Sequence, residues 1–188
     1  MHVRPMLKKK TPGSAQSLRR QIAESRNRLY RVALAWCGDS MLADDLVQET
    51  LETGVRKLRQ LRNEERLFAW LYSILNNAWK SHLRRRRSAS ALDEQMPADD
   101  AGPCDNCEQL ELVNRVRSVI RSLPGIERQV IALVDLDGLS YCDVAEALDI
   151  PVGTVMSRLH RARKHLLERI ERQSSVTDIS NGRIHLVE

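Results

Sequence analysis

The side chains best suited to bind a charged polymer lie along the last helical stretch of this sequence. On a helical projection, one face of residues 152–172 carries Val155, Leu159, Ala162 and Leu166, the spacing of a buried stripe. The opposite face holds Gly153, Ser157, His160, Arg161 and Lys164, flanked by Thr154, Met156, Arg158 and Arg163. Six basic residues stand against two acidic ones here, a net charge of 6 − 2 = +4. The pattern predicts contacts with phosphates and base edges of DNA; a solvated basic face is the alternative.

A short helix before this stretch is predicted to position it. Ser140 with an acid at position 143 has the pattern of a helix N-cap. Val144 and Leu148 then face inward, and Ala145 is small enough for a close helix crossing. The sequence Asp-Ile-Pro at 149–151 ends that helix immediately before the basic one. Two helices joined by such a turn form a helix-turn-helix, whose second helix reads the major groove.

The first half of the chain shows a different chemistry. Six of the seven aromatic residues fall between positions 17 and 87. Aromatic and basic side chains mix along residues 66–87, where a long helix is predicted and ends in a run of four arginines at 84–87. Aromatic rings stack on unpaired bases while cations follow the backbone, so this helix suits single-stranded DNA. For Trp70, packing in the protein core is an equal alternative.

Charge blocks divide the chain. The 188 residues carry a net charge of +5, and 42% are hydrophobic, which predicts packed cores. Residues 88–111 contain seven acidic residues and no Lys or Arg, interrupted by Pro and Gly. The predicted organisation is a basic arm at 1–16, a helical domain at 17–87, a flexible acidic linker at 88–109, a second helical domain at 110–172 and a tail at 173–188. The fold class is all-α, with two small helical domains.

Three segments resemble a known family in the order in which that family carries them. Residues 151–163 (PVGTVMSRLHRAR) resemble the helix that reads the −35 promoter element in sigma-70 factors, specifically the small extracytoplasmic-function or group 4 factors. Residues 43–50 (ADDLVQET) resemble the segment with which these factors grip the clamp helices of RNA polymerase. Residues 68–77 (FAWLYSILNN) resemble their −10 helix. The resemblance covers roughly residues 29–87 and 110–172.

The resemblance implies a bacterial alternative sigma factor without chemistry of its own. Such a protein binds core RNA polymerase at its clamp helices and flap, recognises −35 and −10 elements of promoter DNA, and promotes promoter melting and transcription initiation. It also implies control by a cognate anti-sigma factor. The expected location is cytoplasmic, because no apolar run approaches the roughly 18 residues of a membrane span and the basic N-terminus is not followed by a secretory segment.

The resemblance also implies a role for particular residues. The residues expected to bind core polymerase are Asp44, Asp45, Leu46, Gln48 and Glu49. Those expected at the −10 element, including a pocket for a base flipped from the non-template strand, are Arg62, Asn63, Leu67, Trp70, Asn77, Lys80, Arg84 and Arg85. The −35 residues are the nine of the outer face described above, from Gly153 to Lys164.

Other functions have weaker support in the sequence. A stand-alone helix-turn-helix regulator would explain residues 140–172 but leaves the segments at 43–50 and 68–77 without a role. No enzyme motif, cofactor site or metal site is predicted. The pair Cys104 and Cys107 has metal-ligand spacing but no second ligand pair nearby. It is interpreted first as two unrelated thiols, then as a redox switch, then as a zinc site; Cys37 and Cys142 are expected in helix cores.

Overall fold

The computed structural model describes residues 15–90 and 118–180, and every regular element in these ranges is helical. The first range contains α1 (Ala15–Glu24), α2 (Arg26–Cys37), α3 (Ser40–Arg56) and α4 (Leu67–Ser90), with 3₁₀ turns at Leu58–Gln60 and Glu64–Arg66. The second contains a helical segment at 118–121, α5 (Gly125–Ile131) continuing into a π-helical turn (Ala132–Leu136), α6 (Tyr141–Leu148) and α7 (Val152–Ser180). We call residues 15–90 the first unit and residues 118–180 the second unit.

The boundaries of the first unit follow from local chemistry. Gly38, at φ 78°, ends α2 in the left-handed region that favours glycine. The Asp39 carboxylate then caps α3 by accepting hydrogen bonds from the Met41 and Leu42 amides at 2.8 and 3.1 Å. Further along α3, a Cβ added at Gly54 would lie 3.0 Å from Leu71 Cδ2. The missing side chain therefore lets α3 pack closely on α4.

The helix-turn-helix in the second unit forms as its sequence predicts. The Ser140 hydroxyl accepts the Asp143 amide at 3.1 Å and donates to the carboxylate of the same residue at 2.7 Å. Asp149 ends α6 in the left-handed conformation, with φ 57° and ψ 55°. The Pro151 carbonyl then accepts the Thr154 amide at 2.9 Å in the first turn of α7. The short turn between α6 and α7 is thus fixed by hydrogen bonds at both helix ends.

The small buried residue of α6 differs from the predicted one. Ala147 is buried, whereas Ala145 is only half-buried. The reason is that α6 packs on two partners, α7 in its own unit and α4 in the other. At Ala147 the backbone also joins the other unit, because its carbonyl accepts a hydrogen bond from Asn76 of α4 at 3.3 Å.

The two units are not separate bodies joined only by a tether. Their buried apolar residues form one hydrophobic cluster that contains, among others, Trp36 and Leu71 of the first unit and Leu123 and Leu133 of the second. α4 lies against α6, and α2 lies against α5 and the π-helical turn. The acidic linker beyond residue 90, the basic arm before residue 15 and the end of the tail lie outside the described residues. Among the described helices, none combines the length and apolar character needed to cross a bilayer.

Candidate nucleic-acid interface

The outer face of α7 is open to solvent along its whole predicted length. Its apolar face is buried, with Val155, Leu159 and Ala162 packed in the core. The exposed residues of the predicted −35 set are Gly153, Met156, Ser157, His160, Arg161, Arg163 and Lys164, and the half-buried ones are Thr154 and Arg158. A Cβ at Gly153 would meet no atom within 4 Å, so no contact inside the described protein requires this glycine. Its bare backbone leaves room for a close approach by DNA.

Two cations on this face differ in their availability. The Arg161 Nε lies 3.4 Å from the Ser157 carbonyl, which leaves the terminal nitrogens of that guanidinium pointing to no acceptor among the described contacts. Arg163 instead makes a two-pronged ion pair with Asp135, with Nε–Oδ2 3.0 Å and Nη2–Oδ1 2.5 Å. The hydrogen bond to Asp135 raises the pKa of Arg163. Asp135 of the π-helical turn therefore already pairs with Arg163, one of the cations that are expected to contact phosphates.

The predicted −10 residues are mostly on the surface. Arg62, Asn63, Asn77, Lys80, Arg84 and Arg85 are exposed, and Trp70 is half-buried against the core cluster. The Asn63 side chain accepts the Glu65 amide at 2.9 Å and so also caps the turn before α4. Leu67 is only 2% exposed, because the first residue of α4 turns into the core. Its role at the −10 element stays a prediction, with the side chain packed in the core in this structure.

The predicted polymerase-binding segment forms an exposed polar face on α3. Asp44, Asp45, Gln48 and Glu49 are exposed. Leu46 is 3% exposed and packs in the core, and its role in polymerase binding stays a prediction. The period of the helix explains this burial, since Leu46 shares the inward face with Ala43 and Val47. Arg26 Nη2 lies 2.7 Å from Asp44 Oδ1, and this ion pair holds one carboxylate of the face in place.

A polar seam between the units was not predicted from the sequence. Arg28 of α2 donates from Nε to Asp137 Oδ1 at 2.7 Å and from Nη2 to the Asp137 carbonyl at 3.1 Å. The Arg28 guanidinium also lies 3.8 Å from the centroid of the Phe68 ring. Burial opposes the charge of Arg28, but the hydrogen bond and charge of Asp137 outweigh it, and the pKa is raised. Charge pairing between residues 109 positions apart leaves no periodic signal in a sequence.

Three further polar contacts cross the same seam. Arg66 and Glu146 form an ion pair, which ties the turn before α4 to the helix-turn-helix. Gln129 donates to the Asn76 side-chain oxygen at 3.3 Å. Arg128 donates across the seam to the Trp36 carbonyl at 3.0 Å and, within its own unit, to the Leu123 carbonyl at 3.0 Å. Burial raises the pKa of Tyr72, the neighbour of this cluster on α4, so its phenol stays protonated.

The cysteines of the described residues make no shared site. Cys37 is half-buried and donates to the Asp39 carbonyl at 3.1 Å, and burial raises the pKa of its thiol. Cys142 is exposed, which corrects the expectation that it lies in a core: as the second residue of α6 it precedes the buried face. Within residues 15–90 and 118–180, no three His, Cys, Asp or Glu residues are grouped as metal ligands. Cys104 and Cys107 lie outside the described residues.

Family models match both units. The model described as Sigma-70 region 2 matches residues 22–89, and the model described as Sigma-70, region 4 matches residues 114–166. The first match covers the acidic face of α3 and nearly all of α4. The second covers α5, α6 and the outer face of α7 that carries the predicted −35 residues.

Named relatives give the same result. The chain is 32% identical over 163 residues to the ECF RNA polymerase sigma factor SigE of Mycolicibacterium smegmatis, covering 83% of this chain and 62% of that protein. It is 35% identical over 139 residues to the ECF RNA polymerase sigma-E factor of Haemophilus influenzae, covering 68% and 74%. It is 34% identical over 151 residues to the ECF RNA polymerase sigma factor EcfG of Rhodopseudomonas palustris, covering 80% and 83%.

Two solved structures share the fold. One is the sigma factor RpoE in complex with the anti-sigma factor NepR from Bartonella quintana, with a TM-score of 0.73 at 24% identity, covering 83% of this chain and 98% of that one. The other is CnrH in complex with the cytosolic domain of CnrY, with a TM-score of 0.61 at 26% identity, covering 85% and 91%.

Proposed function

The chain belongs to the ECF RNA polymerase sigma factors of the sigma-70 family, and from this premise we propose how its surfaces divide the work of transcription initiation. The protein binds bacterial core RNA polymerase, recognises the −35 and −10 elements of a promoter and promotes melting. The single observation that carries the proposal is that the three ordered segments present three separate polar surfaces. These are the acidic face of α3, the aromatic and basic side of α4, and the outer face of α7.

The α7 surface is assigned to the −35 element. A helix with a buried apolar stripe and an exposed face of short polar and cationic groups fits the major groove. Arg161 is the residue best placed to read a base, because its terminal guanidinium nitrogens are uncommitted and can form a two-pronged contact with guanine. Ser157 and His160 are exposed beside it and complete the readable surface.

The α4 surface is assigned to the opened −10 element. Asn77, Lys80 and Arg84 are exposed along one helix, and the turn containing Arg62 and Asn63 lies at its start. Trp79 stacks on His82 in the middle of this helix, with ring centroids 5.7 Å apart and planes 6° apart. Extruding a base costs a few kcal/mol, and contacts from the turn containing Arg62 and Asn63 would have to offset that cost.

The acidic face of α3 is assigned to polymerase. Asp45, Gln48 and Glu49 present exposed carboxylate and amide groups, which suit a basic and polar partner surface. The anti-sigma complexes formed by the two structural neighbours favour control of this chain by a cognate anti-sigma factor. Such a factor would act by covering the same surfaces.

Transcription with purified components tests the proposal. Sigma-free core polymerase, the protein and a set of candidate promoter templates should give run-off transcripts that start at defined positions. Asp45→Arg should abolish both the transcript and co-purification with core polymerase. Glu24→Arg is the matched control, because Glu24 is an exposed acid on α1 outside the assigned face, and it should leave both unchanged.

The result also separates the proposal from the stand-alone regulator. If the protein binds promoter duplex but never co-purifies with core polymerase, the acidic face of α3 has no polymerase role. The protein would then be a helix-turn-helix regulator, and the proposal would be wrong.

A further inference from the structure

The connection between α3 and α4 carries a group of exposed cations. Residues 56–62 have the sequence RKLRQLR, with four basic residues and no acidic one. Lys57, Arg59 and Arg62 are exposed, and none of these three side chains forms an ion pair within the described residues. Arg62 is already assigned to the −10 element, whereas Lys57 and Arg59 have no part in the function proposed above. We call Lys57 and Arg59 the turn cations.

The backbone of this connection holds the turn cations at the surface. Leu58, which lies between them in the chain, is 9% exposed and packs in the core. The Lys57 carbonyl accepts the Gln60 amide at 2.8 Å, and the Leu58 carbonyl accepts the Leu61 amide at 3.1 Å, so the segment is a hydrogen-bonded 3₁₀ turn. Because Leu58 anchors this turn, the charged side chains on either side of it are presented to solvent by an ordered backbone.

Neighbouring cations of the first unit differ from the turn cations, because they already have partners inside the protein. Arg56 Nη2 donates to Thr53 Oγ1 at 3.0 Å, and this side chain lines a groove between α1 and α3. Arg66 is paired with Glu146. Unpaired like charges repel each other and lower the stability of a compact chain, and an anion that neutralises them removes this cost. The turn cations therefore favour an anionic ligand from outside the described residues.

The place of the turn in the fold favours nucleic acid as this anion. The turn is followed directly by Arg62 and Asn63 and then by α4, so it extends the surface assigned to the opened strand beyond the start of that helix. From the end of α4 the chain continues to the unit assigned to the −35 element, which lies upstream. The start of α4 is therefore taken to face the downstream side. The backbone of single-stranded DNA carries one negative charge per nucleotide, and cations bind it without reading the bases.

We propose that Lys57 and Arg59 bind phosphates of the non-template strand immediately downstream of the −10 element. The exposed cations are structural observations, whereas their ligand rests on the proposed function. Each contact with single-stranded DNA changes the slope of log affinity against log salt by about 0.7, so two contacts change it by about 1.4. Raising the salt concentration from about 50 to about 200 mM should therefore cost the wild type about sevenfold more affinity than a variant without the two cations.

Two fork-junction probes, bound by the complex of the protein with core polymerase, test the proposal. Both present the −10 element on a single-stranded non-template overhang. The short probe ends at the last nucleotide of the element, and the long probe continues for about six nucleotides downstream. The variant Lys57→Ala with Arg59→Ala should bind the short probe as the wild type does. It should bind the long probe more weakly, by about fivefold or more at about 50 mM salt, with the salt slope reduced by about 1.4.

Two control variants separate the loss of these charges from other effects. Lys57→Arg with Arg59→Lys keeps both charges and should retain the wild-type affinity and slope, because a phosphate contact of this kind needs a cation rather than a particular shape. Arg20→Ala with Arg31→Ala removes the same net charge from exposed positions on α1 and α2 and should leave both probes unaffected. All four altered side chains are exposed, and unchanged helical circular dichroism spectra check that the fold is retained.

The two probes also distinguish failure of this contact from failure of the proposed function. If the wild-type complex binds neither probe, the proposed function is wrong and the contact is overturned with it. If the wild type binds both probes and the alanine variant matches it on the long one, the proposed function stands and only the contact is overturned. An equal loss on both probes, or a loss in the charge-retaining variant, would also overturn the contact, because neither result follows from two phosphates downstream of the element.

Discussion

The two surfaces assigned to DNA differ in what the rest of the molecule does to them. The outer face of α7 is supported from behind by its buried apolar stripe, and on its polar side Arg163 pairs with Asp135 of the π-helical turn in the same unit. The side of α4 assigned to the opened strand starts with a buried residue, Leu67, and an ion-paired one, Arg66, and is flanked by the other unit. The α7 surface is exposed while the two units are packed together, whereas the α4 surface depends on how the units are arranged. This order suits a protein that reads duplex DNA before it captures a melted strand.

The largest expected effect tests whether Leu67 belongs to the core or to the DNA surface. Leu67→Ala should lower the free energy of unfolding by about 2–5 kcal/mol, because it removes buried methyl groups and leaves a cavity. Met156→Ala is the matched change on the α7 face and should alter stability by less than about 0.5 kcal/mol, since Met156 is 54% exposed. Chemical denaturation of both variants measures the difference. A small effect at Leu67 would place it on the surface after all and weaken the contrast.

The second effect tests whether the α7 face reads sequence. Arg161→Ala should lose about 1–3 kcal/mol of discrimination between the preferred −35 duplex and a variant with the contacted guanine replaced. Competition binding with the two duplexes measures it. Lys164→Ala should instead weaken binding to both duplexes equally and reduce the dependence on salt by about one phosphate contact. Equal losses for Arg161→Ala on both duplexes would show that it contacts the backbone rather than a base.

The two surfaces also differ in how well their residues could be predicted from the sequence. The helix-turn-helix followed from Ser140, the break at 149–151 and the apolar stripe of α7, because caps and periodicity are local. The outer face of α7 was assigned from the same local pattern. Leu46 and Leu67 were assigned to surfaces by resemblance, although helical period alone places Leu46 with the inward residues Ala43 and Val47. The motif alone does not distinguish residues that touch a partner from residues that support the surface from below, and both of these side chains are buried.

The seam could not be predicted in the same way. Arg28 and Asp137 are ordinary charged residues in helical surroundings, and only the packing of α2 against the π-helical turn brings them together. The linker suggested independent domains, since seven acidic residues without a basic partner favour an extended tether. The apolar stripes predicted which faces are buried but not whether a face meets its own unit or the other one. Ala147 is the clearest case, because it is buried in α6 while its backbone carbonyl accepts a hydrogen bond from Asn76 of α4 in the other unit.

The third effect concerns the N-cap of α6, the helix that packs against α7. Ser140→Ala removes the hydroxyl that caps α6 and should cost about 0.5–2 kcal/mol of unfolding free energy. Ser140→Asp should recover most of the loss, because a carboxylate accepts the same backbone amide. Thermal unfolding of the three proteins measures the series. If Ser140→Asp is as unstable as Ser140→Ala, repulsion from the Asp143 carboxylate outweighs the cap, and the hydroxyl donated to Asp143 is the part that matters.

The smallest effect concerns Arg163, a cation of the α7 face that is already paired with a carboxylate outside its own helix. Asp135→Ala should free Arg163 from its two-pronged pair and allow it to contact a phosphate. The pair is about half exposed, so its own contribution to stability is at most about 1 kcal/mol and the fold should be retained. Binding to any duplex should tighten slightly, and the slope of affinity against salt should steepen by about one contact.

The double variant Asp135→Ala with Arg163→Ala decides the interpretation. If Arg163 gains a phosphate when Asp135 is removed, the double variant must return to the salt slope of Arg163→Ala alone. A steeper slope that persists without Arg163 would mean that the Asp135 carboxylate repels DNA directly rather than by occupying a cation. In either case the carboxylate lowers sequence-independent binding while leaving Arg161 free, which raises the share of affinity that comes from base contacts. Asp135, a residue outside the recognition helix, would then make DNA binding by the α7 surface more selective.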